Sequence, residues 1–507
     1  MAPDLLNPSP ELKHVLMWSV PLLIIAPTVI FWYLQAVGNK KNPIRLPPSP
    51  LRLPIIGHLH LMVHELHQSL QRLARSLGPV IHLQLGGVAT VVLSSPEAAK
   101  EVLKTHDVHC CSRPPSPGAK LMTYGQQDIA FSPYNASWRE LRKLFVSELV
   151  GSKRVHTFSH ALEAQVSELI QSLAPMTEPV NLNETLFTLI DSFIGTVAFG
   201  SMKGAKLMKY AKFQRVFSEA TVALSAFSAQ DFFPASPMGR WFDKLVGLER
   251  RYLRTFLEID SYLEMVLTQH MDPGRVKPEK EDLVDVLISL WKGQGKITKD
   301  HVKALLGDAF IGGTATSSVT LLWAMSELIK NPAVMKKAQA EIRSLVGGKQ
   351  RLVQVDDLSR LKYMKMVVKE TLQLHAPVPL LVPRETMEHV KVFGYDIPAK
   401  TRIFVNVWAM GRDPASWDKS EEFYPERFDG VDTDFYGSHY ELLLFGAGRR
   451  ICPAIPMGST MVEFTLASLL HSFDWELPKE DVSMEGTGRQ LLCRKTPPYL
   501  VPSFYTG

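Results

Sequence analysis

The stretch that most restricts the fold is Phe445-Gly446-Ala447-Gly448-Arg449-Arg450-Ile451-Cys452-Pro453. A single cysteine follows a glycine-rich loop and two arginines, and Pro453 is suited to open a helix. Gly446 and Gly448 admit positive φ and let a bulky flat group approach the backbone. Arg449, Arg450 and a helix N-terminus at Pro453 would each lower the cost of a thiolate. A thiolate held in this way is a soft ligand with one open coordination face, suited to the iron of a haem. A glycine-rich turn with a buried structural cysteine is the other reading of the same residues. Either reading needs a large core around the loop, and 507 residues, 46% of them hydrophobic, supply one.

The stretch resembles the haem-binding loop of cytochrome P450 proteins, Phe-x-x-Gly-x-Arg-x-Cys-x-Gly. Phe445, Gly448, Arg450 and Cys452 match, and Ala454 stands where the family has its last glycine. The resemblance implies haem b with its iron ligated by the Cys452 thiolate. It also implies the P450 fold, mainly α with a small β part.

Val15 to Leu34 carries no charge and is rich in Leu, Ile, Val, Phe and Trp. About twenty such residues span a hydrocarbon core. Trp18, Trp32 and Tyr33 sit near its ends, and Lys40, Lys41, Arg45 and Arg52 follow, which puts the body on the cytosolic side. Leu46-Pro47-Pro48-Ser49-Pro50, with Pro54, reads as a stiff linker. The expected layout is a lumenal tail over 1–14, an anchor over 15–37, a proline-rich hinge over 38–57 and a haem-thiolate domain over 58–507. By resemblance this is a single-pass protein of the endoplasmic reticulum membrane. The net charge of +5, without a basic array, gives no sign of nucleic-acid binding. Cys110, Cys111, Cys452 and Cys493 are too few for a disulfide framework in a chain this long.

In the body, helical spacing is expected over 64–77 and 96–105, and a hairpin of strands over 80–93 turning at Gly86-Gly87. Residues 111–133 read as a long loop. Helices dominate 136–330, and strands return over 388–407 and in the last 25 residues.

Trp138 and Arg142 are four apart on one helix face. An indole N–H beside a guanidinium makes a carboxylate clamp; a buried Trp next to an exposed arginine is the alternative. The resemblance assigns the pair to a haem propionate, and Arg384 and Arg450 by the same logic. Thr298 can cap a helix that stops at Asn331-Pro332. Gly312-Gly313 in its middle cost about 1–2 kcal/mol relative to alanine, so they need a close ligand or a tight helix crossing. A threonine hydroxyl turned inward there would interrupt the helical ladder. The segment resembles the oxygen-binding kink of the family, with Thr316 as the threonine that organises oxygen and Ala315 where an acid is usual.

Glu370-Thr371-Leu372-Gln373 occupies the place of the family's Glu-x-x-Arg, and Pro425-Glu426-Arg427-Phe428 is intact. Gln373 is expected to hydrogen-bond Glu370 while Arg427 supplies the charge, in a network weaker by about 1–3 kcal/mol. Ala376 also stands where a proline is common. Leu121, Met122, Phe227, Phe310, Val378, Leu380 and Leu381 are apolar candidates for contact with a lipophilic small molecule.

Together these stretches resemble the plant microsomal P450 proteins of the A-type clan, which serve specialised metabolism. The resemblance implies monooxygenation of a terpenoid, alkaloid or phenolic with O2 and electrons from NADPH–cytochrome P450 reductase. Arg139, Lys143 and Arg449 are the basic residues expected to meet that partner. Two rivals follow from the departures. Ala315 favours a rearrangement, dehydration or isomerisation; Gln373 and Ala454 favour a catalytically impaired haem protein.

Overall fold

The computed structural model describes residues 44–62, 65–200, 210–225, 227–278, 280–293, 295–347, 351–478, 483–488 and 491–506. The expected tail, the anchor and the start of the hinge lie outside them. The elements that position the site are α1 (Leu66–Leu77), β1 (Val80–Leu85), β2 (Val88–Leu93), α2 (Ala136–Phe145), α3 (Leu182–Phe199), α4 (Pro237–Leu245), α5 (Lys299–Lys330), α6 (Lys362–Leu374), β3 (Arg384–Glu385), β4 (Arg402–Val405) and α7 (Ile455–Ser472). The sheet runs in the order β1-β2-β4-β3. The β1–β2 hairpin turns with Leu85 opposite Val88, as the Gly86-Gly87 signal requires. β4 joins β2 in parallel, Thr90 opposite Arg402, and β3 closes the edge with Arg384 opposite Ile403. The 111–133 segment differs from its expectation in holding a short helix, Pro117–Met122, which proline opens at its first turn.

α5 is the central helix. It packs against α3 and α7, and Trp323, Leu321 and Leu322 are buried on it. It is long and apolar enough to cross a bilayer, but apolar residues all round a helix here reflect burial in the core. Thr298 caps it: its hydroxyl accepts from the His301 N–H at 3.3 Å while His301 reaches back to the Thr298 N–H. The two glycines have separate reasons. A Cβ on Gly313 would lie 2.9 Å from Ile194 Cδ1, so this is where α3 crosses. A Cβ on Gly312 would meet nothing within 4 Å, and that side opens into a cavity.

α6 presents Glu370, wholly buried, to the loop after β4. Its oxygens accept from the Tyr424 N–H at 2.7 Å and from Arg427 Nε at 2.8 Å. With both oxygens engaged, the expected bond from Gln373 does not form. Gln373 donates instead to the Gly411 carbonyl, and its own Oε1 is buried without a partner. An arginine there would have no acceptor atom to strand.

Arg427 also donates to the carbonyls of Asp418, Lys419 and Glu422. Arg427→Ala leaves the buried Glu370 carboxylate unpaired, so urea unfolding should show a loss of about 3–5 kcal/mol; a loss below about 1 kcal/mol would mean that the pair is not structural. Glu463 on α7 gives a pH signature. Burial pushes its carboxyl up from the usual 4.5 to about 7, with Lys365 and Lys369 opposing. The folded chain therefore keeps a proton that the unfolded chain releases, and this stabilising contribution is lost as pH rises towards 7. Thermal melts should show the wild type falling behind Glu463→Gln as pH climbs through this window; parallel pH curves would refute the assignment.

Candidate active site

A cavity of about 330 Å³ lies between α2, α3, α5, the 129–130 strand of chain and the 444–454 loop. Cys452 lines it. The loop reaches that place because Gly446 and Gly448 take φ of 70° and 65°, and the Cys452 N–H closes onto the Phe445 carbonyl at 2.8 Å. A Cβ on Gly448 would sit 2.4 Å from the Leu103 carbonyl oxygen and 2.6 Å from Asp107 Oδ1. Asp107, buried, ties the loop to the sheet. Its Oδ1 accepts from Arg384 Nη1 at 2.9 Å, and its Oδ2 accepts from Arg449 N and Nη1 at 3.0 and 2.9 Å.

Burial pushes the Cys452 thiol up, opposed by the Ala454 N–H and then by Arg142 of α2. The arginines beside it in sequence serve elsewhere, which corrects the expectation for Arg449 and Arg450. Arg449 turns to Asp107, and Arg450 donates to the carbonyls of Cys111, Ile129 and Ser132 at 2.8, 3.1 and 2.6 Å. The following helix begins at Ile455, not Pro453, so Ala454 offers its amide directly to the sulfur.

Arg113, Arg142, Arg384 and Arg450 all line the cavity. Among the described residues, Arg384 alone of these has a carboxylate partner, Asp107. Arg113 donates to the carbonyls of Ala130, Val382 and Pro383, and Arg142 to that of Ile451. Burial pushes Arg450 down to about 9 and holds Arg142 and Arg113 below the usual guanidinium range. Trp138 lies behind Arg450, whose Cζ is 3.9 Å from the ring centroid, and its indole N–H donates to the Ile129 carbonyl at 3.0 Å. It is not among the lining residues, whereas Arg142, Arg384, Phe445, Arg450, Cys452 and Thr316 are.

Thr316 faces the cavity from α5, its hydroxyl donating to the Gly312 carbonyl at 2.7 Å. The helix is continuous through this turn, so the expected interruption of its ladder is absent. Ala315 does not line the cavity. Of the apolar candidates, Val378 and Leu381 line it. Met122 and Phe310 pack into the core, and Leu380 and Phe227 pack with Phe404. Three residues escaped the sequence reading. Asp107 and Asp128 carry no motif. Asp308 does have a signal, since 308, 312 and 316 repeat at four-residue spacing on one face of a helix.

The chain matches the Cytochrome P450 family over residues 47–502. It belongs to the cytochrome P450 family. It is 50% identical to a 4-hydroxyphenylacetaldehyde oxime monooxygenase of Sorghum bicolor, over 96% of each chain. It is 48% identical to a 2-methylbutanal oxime monooxygenase of Manihot esculenta, over 87% of each. In fold it resembles a zebra fish cytochrome P450 solved with abiraterone and with progesterone, at TM-scores of 0.71 and 0.72 and 24% identity. Those two cover 87% and 86% of this chain and 99% of theirs. The chain is a plant-type P450 monooxygenase of the A-type clan, a thiolate-ligated haem enzyme of specialised metabolism that needs a redox partner and takes a small lipophilic substrate.

The residues of the cavity fit that cofactor on their own chemistry. A buried thiol with one amide donor suits a soft metal. Three guanidiniums without a carboxylate partner among the described residues suit a group bearing carboxylates. The wall between them is largely apolar. Gly448→Ala should lower bound haem per chain and the melting temperature, because positive φ costs a non-glycine residue about 1–3 kcal/mol before the collision with Leu103 is counted. Full haem occupancy with an unchanged melt would show that the loop tolerates a different course.

Proposed function

We propose that this enzyme acts on an aldoxime, R–CH=N–OH, with Cys452 as the iron ligand. The observation that carries the reading is the near-full-length similarity to two monooxygenases that share the oxime and differ in R. Haem supplies, when bound, the activation of O2 with two electrons. Around it, Arg142, Arg384 and Arg450 hold the propionates, Phe445 packs beside the cysteine loop, and Trp138 backs Arg450 and orders the strap at Ile129. The Thr316 hydroxyl holds a proton over the cavity, with the Gly312 carbonyl as its acceptor in the resting arrangement.

Ala315 favours a second reading. Among the described residues no carboxyl lines the cavity beside Thr316, and the one that does line it, Asp308, is two turns away. Dehydration of the aldoxime to the nitrile, R–CH=N–OH → R–C≡N + H2O, consumes neither O2 nor electrons overall and makes less demand on proton delivery than oxygen insertion.

The body sits on a membrane in this reading, with 1–14 lumenal, 15–37 spanning, 38–57 as hinge and 58–507 as the cytosolic haem-thiolate domain. Support comes from one apolar face. Leu51, Ile55, Trp241 and Leu245 are 85, 70, 62 and 66% exposed. Their segments meet at the β1–β2 turn, where Gly86 N–H donates to Ile56 and Gly87 N–H to Phe232 at 3.1 and 2.7 Å. Arg240 and Lys244 flank the apolar residues of α4, as on a helix lying in a membrane interface. The membrane is that of the endoplasmic reticulum, and the redox partner is NADPH–cytochrome P450 reductase. That partner meets the exposed Arg139, Lys143 and Arg449 on the thiolate side.

The test uses microsomes that contain the chain and a reductase. Aldoxime should be consumed, giving an oxygenated product with NADPH and O2, or nitrile without O2 uptake on the second reading. No turnover of aryl or alkyl aldoximes would overturn the substrate class. Cys452→Ser should abolish the thiolate-specific carbon monoxide difference spectrum; its persistence would remove Cys452 from the ligand position.

A further inference from the structure

The helix Leu248–His270 follows α4 after Gly247, whose φ of 74° turns the chain between them. The two helices carry apolar residues and cations outward side by side. Trp241, Phe242 and Leu245 of α4, and Leu253 and Leu257 of the next helix, are exposed. So are Arg240 and Lys244 of α4, and Arg250, Arg251 and Arg254 of the next helix. At helical spacing 240 and 244 form a row beside 241 and 245, and 250 and 254 form a row beside 253 and 257. None of the five cations pairs with a carboxylate among the described residues. The carboxyls of this region turn inward instead. Asp243 is buried and accepts from the Ala229 and Gln230 N–H groups at 2.8 and 3.0 Å. Asp231 is buried and accepts from the Ser228 N–H at 2.8 Å. Glu249 and Glu258 are partly buried.

We propose that this face selects the anionic phospholipids of a bilayer leaflet, with the five cations on the lipid phosphates and the apolar residues among the acyl chains. The proposal rests on the membrane reading above and adds to it the lipid class and a second helix. Four of the five cations are arginines, whose planar guanidinium donates two parallel N–H bonds to a phosphate. Beside an anionic leaflet each such cation favours the bound state about fivefold.

Two other occupants fit the face less well. A second copy of the chain, packed through a two-fold axis, would set the five cations against the same five. An acidic protein would match the cations but not the five apolar side chains among them. The face also adjoins Leu51 and Ile55, exposed in the segment that leads from the expected anchor over 15–37. In the membrane reading a soluble acidic partner would have to displace the leaflet to reach it. A neutral bilayer would accept the apolar residues and leave the cations without counter-charge, whereas an anionic one satisfies both sets at once.

The test uses the full chain with haem in vesicles of phosphatidylcholine containing about one-third phosphatidylglycerol. Two preparations of this composition differ only in which lipid carries bromine, with the same brominated share in each. The fluorescence quenching that Trp241→Phe removes reports the lipid at this face. Brominated phosphatidylglycerol should quench that signal about threefold more than brominated phosphatidylcholine at low salt. Raised salt should bring the ratio towards one. The triple variant Arg250→Gln, Arg251→Gln, Arg254→Gln should cut the ratio about twofold or more; these side chains are exposed, and an unchanged carbon monoxide difference spectrum checks that the variant is folded. A ratio of one in the wild type, with both lipids quenching, would overturn the anionic selection and keep the membrane face. A ratio unchanged in the triple variant would remove these arginines from the lipid contact. No quenching of Trp241 by either lipid would sink the membrane reading and the lipid selection with it, and cross-linked dimers in that case would give the face to a second copy.

Discussion

Four guanidinium groups around one cavity are a severe electrostatic demand, and the rest of the body is arranged to meet it. Each loses hydration on burial and must recover hydrogen bonds from the protein. Here backbone carbonyls give most of them: Cys111, Ile129 and Ser132 to Arg450, and Ala130, Val382 and Pro383 to Arg113. Carbonyls satisfy the donors without cancelling the charge. The cavity thus keeps an electropositive wall beside a thiol, and that combination gives it affinity for an anionic metal-bearing group. The loops that supply the carbonyls are held in place by the guanidiniums in return. Among the described residues Asp107 supplies the one carboxylate paired to these arginines, and it joins the cysteine loop to β3.

A polarity divide runs through the chain at 128–131. Its carbonyls point to the arginine and Trp138 side, and the Ile129 N–H points to Asp308 on α5. One short segment thereby separates a cationic side, with Arg113 and Arg450, from an apolar side on which Asp308 stands. Such orientation needs no charge on the segment itself, because each peptide group is a dipole whose ends are recognised separately. It also explains how two buried carboxyls persist so close to several arginines without pairing to them.

The departures from the family pattern have local consequences. Gln373 loses the link to Glu370 and strands its own Oε1, yet the Glu370–Arg427 pair closes without it. Ala454 is accommodated as the amide donor to the Cys452 sulfur, a role that asks nothing of its side chain. Ala315 faces away from the cavity wall while Thr316 faces it, so the hydroxyl survives in place and the neighbouring acid does not.

Much was legible in the sequence because it depends on local chemistry. Positive φ at Gly446 and Gly448, the cap at Thr298, the hairpin at Gly86-Gly87 and the α5 face carrying Gly312 and Thr316 are each set by neighbours in the chain. The class of cofactor was implied by the resemblance of a nine-residue stretch to the family's haem-binding loop. What the sequence could not settle was every partner brought from far away. Asp107 meets Arg384 across 277 positions, Ile129 meets Asp308 across 179, and Arg142 meets Ile451 across 309. Arg450 stands two residues before Cys452 in the chain yet turns from it, and Phe310 adjoins the cavity-lining Ala309 yet belongs to the core. Spacing fixes the face on which a side chain leaves its helix or loop. Only packing decides what stands opposite that face, and a buried polar group takes whichever partner leaves it satisfied.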